Sequence, residues 1–248
     1  MEQNFSIVAA VAATFFLAGI VKGVTGMGLP TVAMGILGWV VSPLTAAALL
    51  LVPSFVTNAC QLLSGPSFGS LLIRFWPMML TVALGTIAGS AMLTSGDTDM
   101  TTAALGIILV VYASYTLVAR PLRVPLRWER TLAPMVGVAT GLITGGTGVF
   151  VIPAVPYLQS LGLSKEELVQ ALGLSFTVST IALAIGLGWH GRAFGAIWLA
   201  SSLSVIPALI GMAAGQLIRK RISPSAFRRV FLLGLFCLGL SMASGALF

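Results

Sequence analysis

One basic side chain, Lys22, lies inside a long apolar run near the start of the sequence, among Gly23, Gly26 and Gly28. A charge at membrane depth is costly and usually marks a functional site. The glycines predict a break between two helices, and the N–H groups and positive dipole end of the second helix favour an anion. The alternative for Lys22 is structural: its ammonium would snorkel to the interface or cap carbonyl groups of the preceding helix.

A second glycine cluster lies in the apolar stretch 132–162, and Thr144 stands there in the place of Lys22. We expect its break to present another helix N-terminus from the opposite side. Together the two breaks would hold a tetrahedral or pyramidal oxyanion without a carboxylate. The candidate binding residues of the two breaks, besides Lys22, are Thr25, Gly26, Gly28, Thr144, Gly146, Thr147 and Gly148.

Polar side chains also follow each break on the next long helix. Asn58 and Gln61 are three residues apart, so they share a helix face, and both carry NH₂ donors. Thr57 is their neighbour, and Ser175 and Ser179 are the counterparts in the second half. These residues are either further substrate contacts or hydrogen-bonding groups between helices, which is a common role in membrane spans.

Acidic and metal-binding groups are not found where a site would need them. All six acids fall in predicted loops or helix ends, which leaves no buried carboxylate as a proton carrier or Na⁺ ligand. No cluster has the spacing of metal ligands, and no glycine-rich loop for ATP is present. We therefore expect no metal and no cofactor. The acids are Glu2, Asp97, Asp99, Glu129, Glu166 and Glu167.

The composition is that of a polytopic membrane protein. Of the 248 residues, 58% are hydrophobic and only 8% are charged, and the mean hydropathy is +1.06. A water-soluble fold could not bury so much apolar surface, which excludes a cytosolic enzyme and a nucleic-acid binder. The net charge of +7 is assigned to cytoplasmic loops, where Lys and Arg accumulate, and not to nucleic-acid binding. The expected partner of the apolar surface is the lipid bilayer.

The apolar stretches predict an all-α protein with six plain crossings. A crossing needs about 20 apolar residues, whereas 5–41 and 132–162 are too long for one crossing, and the second is too short for two crossings and a turn. Each of these stretches is predicted to be a re-entrant hairpin of two short helices, broken at glycine and buried in protein. The plain crossings are predicted at 44–63, 72–93, 101–119, 167–189, 194–218 and 228–247.

Loop charges set the orientation. The segments 120–130 and 219–229 are strongly basic, so both are predicted to be cytoplasmic. An even number of crossings must lie between them, which the two plain helices supply if the hairpin makes none. The same count places both chain termini outside.

The chain divides into two predicted repeats, 1–119 and 131–248, joined by the basic linker 120–130. Each repeat contains a hairpin and three crossings, and because three is odd the second repeat is inverted. A Gly-x-x-x-Gly pair recurs in the third helical element of each, at Gly85 and Gly89 and at Gly211 and Gly215. Inverted repeats with broken helices are a transporter architecture. The alternative is that glycines only allow close helix packing.

Three motifs resemble those of a known family. Residues 16–28 (FLAGIVKGVTGMG) and 141–148 (GLITGGTG) are similar to the paired glycine-rich signatures of the sulfite exporter TauE/SafE family, as is 53–61 (PSFVTNACQ). The resemblance implies an inner-membrane transporter of small sulfur-containing anions such as sulfite, thiosulfate and sulfoacetate. The second motif has Thr144 where the first has Lys22, which argues against a symmetric site with two lysines. The anion, the direction, proton coupling and the oligomeric state stay open.

The leading hypothesis is thus a secondary transporter or facilitator of small anions, not an enzyme. The runner-up is a membrane-embedded enzyme acting on a lipid-linked or phosphorylated substrate, which would need acidic metal ligands or a nucleophile–base pair near the interface. A third hypothesis is a non-transporting assembly or anchor subunit, which would not need Lys22 or paired broken helices.

Overall fold

All regular structure in the described residues is helical. The computed structural model describes residues 2–118, 123–190 and 195–245. The helices in these ranges are α1 Glu2–Thr25, α2 Leu29–Val40, α3 Pro43–Leu63, α4 Phe68–Thr94, α5 Thr98–Val118, α6 Leu126–Thr147, α7 Ala154–Ser160, α8 Lys165–Trp189, α9 Gly195–Leu203, α10 Val205–Ile218 and α11 Pro224–Gly245.

Seven segments of the described chain are long and apolar enough to cross a membrane. They include all six plain crossings that the sequence predicted, and Ser6–Thr25 of the first hairpin is the seventh. The helices α9 and α10 form one such segment, Ile197–Ile218. They are divided at Ser204 because Pro207 has no N–H to donate to the carbonyl four residues earlier. The chain is an all-α polytopic membrane protein.

Several helices begin before the apolar run that revealed them. Helix α8 begins at Lys165, where Ser164 and Glu167 form a capping box, and α6 begins at Leu126, within the predicted linker. Residues 119–122 of this region lie outside the described residues. Hydropathy detects only the part of a helix in the hydrocarbon layer, so polar first turns at the interface were assigned to loops.

The hairpins differ from the expected pairs of short helices. Helix α1 has 24 residues and α6 has 22, whereas their partners α2 and α7 have 12 and 7. In the second hairpin, Val124 N donates a hydrogen bond to Ser160 O at 3.0 Å. The start and the end of this hairpin therefore meet, which supports the expectation that it makes no net crossing.

The chain forms two compact units that interleave along the sequence. Unit 1 comprises Met1–Pro53, Thr98–Leu117 and Phe194–Phe248, and unit 2 comprises Ser54–Asp97 and Val118–Ala193. In unit 1 the main packing is between α1 and α10, and in unit 2 it is between α4 and α6. The first helix of each hairpin thus packs on the second plain crossing of the other predicted repeat.

Glycines bring these paired helices into backbone contact. A Cβ built on Gly215 in unit 1 would lie 3.0 Å from the Cα of Gly23. In unit 2, a Cβ built on Gly141 would lie 2.8 Å from the Cα of Gly85. Helices approach this closely only where side chains are absent. The packing role is therefore correct for both Gly-x-x-x-Gly pairs, and it extends to glycines of the hairpins.

A proline inside α3 is compensated by a serine from α9. Pro53 has no N–H, so it cannot donate to the carbonyl of Leu49 four residues earlier. Ser201 Oγ donates to Leu49 O at 2.8 Å and accepts from Val52 N at 3.2 Å. Ser201 is 1% exposed. Backbone groups at membrane depth need such partners, so Ser201 stabilises the proline-containing turn.

The Ser201→Ala variant is expected to lower the free energy of unfolding by about 1–3 kcal/mol, because the Leu49 carbonyl loses its donor. Adding Pro53→Ala supplies a backbone N–H to the same carbonyl and should restore most of the loss. Thermal unfolding in detergent measures both effects, with the exposed neighbour Ser202→Ala as the control. If the double variant is as unstable as Ser201→Ala, the serine acts through some other contact.

Candidate functional site

The first break begins where α1 ends at Thr25. Gly26 N donates to Lys22 O at 2.7 Å, and Thr25 Oγ1 donates to Val21 O at 2.8 Å. Gly26 and Gly28 have φ angles of 79° and 98°, in the left-handed region where side chains are strained. The lysine therefore lies in the last turn of α1, with its own carbonyl closing the helix.

Helix α2 starts directly at this break, in unit 1. Gly28 is the N-cap of α2, and because it has no side chain it cannot accept a hydrogen bond from the N–H groups of the first turn. Lys22 is only 3% exposed, and Thr31 in the first turn of α2 is 0% exposed. Thr31 Oγ1 has no hydrogen-bond partner among the described residues. A buried hydroxyl of this kind needs a polar partner, so the break combines a cation, a helix N-terminus and an unused hydrogen-bonding group.

The second break, in unit 2, repeats the hydrogen bonds of the first. Gly148 has a φ of 70° and donates to Thr144 O at 2.7 Å. Thr147 Oγ1 donates to Ile143 O at 2.7 Å, as the matching threonine does in α1. The two breaks are therefore locally equivalent, and Thr144 occupies the position of the lysine.

The two breaks differ in the segment that leads to the next helix. Helix α7 begins only at Ala154, so residues 149–153 separate it from Gly148. Gly146 lies within α6, where a built Cβ would be 3.1 Å from Met92 Sδ. The expected second helix N-terminus at the glycine cluster is not there. In addition, Thr144 Oγ1 donates to Val149 O at 3.3 Å, so its proton is already used.

Candidate residues on α3 and α8 are buried in unit 2. Thr57 is 1% exposed, and Asn58, Ser175 and Ser179 are each 0% exposed. Gln61 is less buried, and its Nε2 donates to the Val169 carbonyl at 2.8 Å. The amide donor of Gln61 thus joins two helices, which is the alternative role that the sequence had left open.

Five hydroxyl oxygens buried in unit 2 have no hydrogen-bond partner among the described residues. An unsatisfied buried hydroxyl costs about 1–3 kcal/mol, so each of these groups needs a polar partner. Two of the five were candidates from the sequence, and three on α3, α4 and α6 were not, although each interrupts an apolar run. The five are Ser54, Thr86, Thr140, Ser175 and Ser179.

Glu129 corrects the expectation that no carboxylate is buried. It lies in the first turn of α6 and is 8% exposed. Both of its carboxylate oxygens accept from Arg74, at 2.6 and 2.8 Å. Its carbonyl accepts from Tyr157 Oη at 3.0 Å, and burial raises the pKa of that phenol to about 12, which keeps it a donor. Arg74 therefore joins α4 to the first turn of α6.

Removing one member of the Arg74–Glu129 pair is expected to cost about 1–3 kcal/mol of unfolding free energy. This cost is lower than the cost of breaking a fully buried pair, because the Arg74 side chain is 34% exposed. A double-mutant cycle of Arg74→Met and Glu129→Gln by thermal unfolding measures the coupling. Exposed Arg127→Gln on the same helix is the charge control. A coupling energy of zero would show that the two groups do not stabilise each other.

The comparisons with known proteins agree with these features. The sulfite exporter TauE/SafE family profile matches residues 11–242. A probable sulfite/organosulfonate exporter, TauE, from Cupriavidus necator is 25% identical over 228 residues, covering 88% of this chain and 85% of that protein. No solved structure matches. The match contains both breaks and overlaps all seven candidate crossings, and the chain belongs to the sulfite exporter TauE/SafE family of membrane transporters.

Proposed function

We propose that this protein moves small sulfur-containing anions, namely sulfite, thiosulfate or organosulfonates such as sulfoacetate, across the bacterial inner membrane. It acts as a secondary transporter or facilitator. Its family consists of sulfite exporters, and the Cupriavidus relative is named for sulfite and organosulfonate export. Family membership favours transport over the alternative of a membrane-embedded enzyme.

The observation that carries the proposal is the burial of Lys22 at the first break. Lys22 is buried in the last turn of α1, and α2 begins a few residues later, so one short segment carries a cation and a helix N-terminus. Thr31 adds a hydroxyl that needs a partner. A compact oxyanion supplies an acceptor for this hydroxyl and is attracted by both sources of positive potential. We assign Lys22, Thr25, Gly26 and Gly28 to this anion site.

Unit 2 contributes a polar interior to the same function. The unpaired hydroxyl groups of Ser175 and Ser179 and the buried amide of Asn58 provide donors for a hydrated or partly dehydrated anion. Thr57, Gln61 and the second break, with Thr144, Gly146, Thr147 and Gly148, are assigned a weaker role. Their groups already bond to the protein or only shape the backbone.

We also propose the inverted repeats 1–119 and 131–248, with both chain termini outside. The matching hydrogen bonds of the two breaks and the matching glycine contacts of α1 and α6 support the repeats. Accessibility of cysteines introduced near each terminus and in segment 219–229 tests the orientation in spheroplasts. Labelling of a cysteine at residue 2 from the cytoplasmic side only would overturn it.

Anion flux in proteoliposomes tests the function directly. We expect radiolabelled sulfite, thiosulfate or sulfoacetate to move down its gradient, and we expect no Na⁺ dependence, because the buried carboxylate of Glu129 is paired with Arg74. Protein-free liposomes and a set of phosphorylated compounds are the controls. Absence of flux for every sulfur anion would overturn the proposal, and Na⁺-driven flux would reveal a cation site built from carbonyl groups.

A further inference from the structure

A cavity of about 280 Å³ in unit 1 adjoins the first break and is not formed by the buried lysine. The break contributes Thr25 and Gly28 to its wall, and the end of α10 and the start of α11 contribute one arginine each. The full lining is Val24, Thr25, Met27, Gly28, Tyr112, Arg219, Ser225, Arg228, Phe231 and Leu232.

The charge of this cavity is entirely positive. Arg219 is the C-cap of α10, and Arg228 lies in the second turn of α11. No acid is among the lining residues, and neither arginine forms an ion pair with any residue in the described ranges. Uncompensated guanidinium groups facing one small cavity form a binding site for an oxyanion, since a guanidinium donates to two oxygens at once.

The geometry of the break leaves room for such a ligand. Gly28 has a φ of 98°, and a Cβ built there would lie 3.4 Å from Val21 Cγ1 and 3.9 Å from Phe231 Cε1. A side chain would therefore narrow the cavity at the point where it meets the backbone of the break. Ser225 and Thr25 add hydroxyl groups on opposite elements, and Tyr112 closes the cavity with a side chain only 3% exposed.

We propose that this cavity is a capture site, where Arg219 and Arg228 bind the small sulfur oxyanion before it reaches the Lys22 break. This inference rests on the proposed function and deepens it by assigning a binding role to two arginines that otherwise only set topology. Because the arginines are in the basic segment 219–229, the captured anion enters from the side where that segment lies. The chemistry recognised is a compact oxyanion with at least two free oxygens.

Cysteine modification measures the potential in this cavity. In the full-length protein with Cys60 and Cys237 replaced by serine, Ser225→Cys is treated with anionic and cationic methanethiosulfonate reagents of similar size. We expect the anionic reagent to react faster, and sulfoacetate to protect the cysteine. Arg219→Gln and Arg228→Gln should each lower the ratio of anionic to cationic rates about fivefold or more. The matched variants Arg221→Gln and Arg229→Gln, in the same basic segment but outside the lining, should leave it unchanged.

Transport kinetics separate this proposal from the proposed function. With wild-type flux established, Arg219→Gln and Arg228→Gln should raise the KM for anion moving from the basic side about fivefold, with little change in kcat. Equal KM values for these variants and the two controls would overturn the capture site while leaving transport intact. Protection of Ser225→Cys by phosphatidylglycerol nanodiscs but not by sulfoacetate in detergent would also overturn it, because the ligand would be a lipid headgroup.

Discussion

Replacing Lys22 by alanine is expected to weaken binding of the transported anion by about tenfold to more than a hundredfold. A hydrogen bond to a charged group is worth about 1.5–3 kcal/mol, and Lys22 is buried in the last turn of α1, just before α2 begins at Leu29. Lys22→Met, which keeps the length of the side chain, should show the same loss. Lys22→Glu should be worse because it places like charge against the anion. Substrate KM in proteoliposomes and direct binding in detergent give the two measurements.

The second break supplies the matched control for this experiment. Thr144 has the same backbone hydrogen bond as Lys22 but a neutral side chain that already donates to Val149 O. Thr144→Val should therefore cost about 0.5–1.5 kcal/mol at most. Equal, small losses of affinity at both positions would mean that backbone groups alone hold the anion and that the lysine is structural.

Gly145→Ala is expected to destabilise unit 2 by about 1–3 kcal/mol or more, although alanine is the better helix former. A Cβ at this position would lie 2.6 Å from Ser90 N and 2.7 Å from the carbonyl carbon of Gly89. The neighbours are backbone atoms of α4, so the two helices would have to separate. The midpoint of thermal unfolding in detergent, followed by loss of monodisperse protein, measures the effect.

At a glycine of unit 2 with open surroundings, the expected change in stability on substitution by alanine has the opposite sign. Nothing lies within 4 Å of a Cβ built on Gly188 in α8, so Gly188→Ala should be neutral or stabilising by up to about 1 kcal/mol. In unit 1, Gly23→Ala and Gly234→Ala form the corresponding pair, since only the first would touch backbone. If the two alanines of a pair shift the midpoint alike, close backbone approach is not what stabilises these helices.

The crossings could be predicted because the bilayer imposes a length on every spanning helix. The apolar runs of α3, α5 and α8 match that length, and their helices were found where predicted. The first turns of α6 and α8 could not be found this way, because polar residues at the interface are equally compatible with a helix and with a loop. The capping box at Ser164 was the available signal for α8.

The roles of the glycines could be predicted only in part. Gly23 and Gly145 were grouped with the breaks, yet both lie inside helices and contact a partner helix. The residues of the breaks with positive φ are Gly26, Gly28 and Gly148. A glycine in an apolar run is compatible with both roles, and the helix it meets is far away in the sequence. The spacing of four that Gly23 shares with Gly19 was the signal for packing.

The buried acid was missed because its neighbours along the chain are arginines. Glu129 stands between Arg127 and Arg130, so a solvated basic loop explained its charge without burial. Its actual partner, Arg74, is on α4 and reaches it only because α4 and α6 pack along each other. Tertiary pairing of this kind leaves no pattern in a single sequence.

The packing of each hairpin's first helix on a crossing of the other predicted repeat also orders events during synthesis. Helix α1 is made long before α10, on which it packs and which ends at Ile218. Unit 2 needs nothing beyond Ala193 and can close while the chain is still growing. The break that carries Lys22 therefore lacks its packing partner until most of this chain has been made. Contacts between segments so distant in sequence form slowly. The break that carries the proposed anion site is therefore completed late in synthesis.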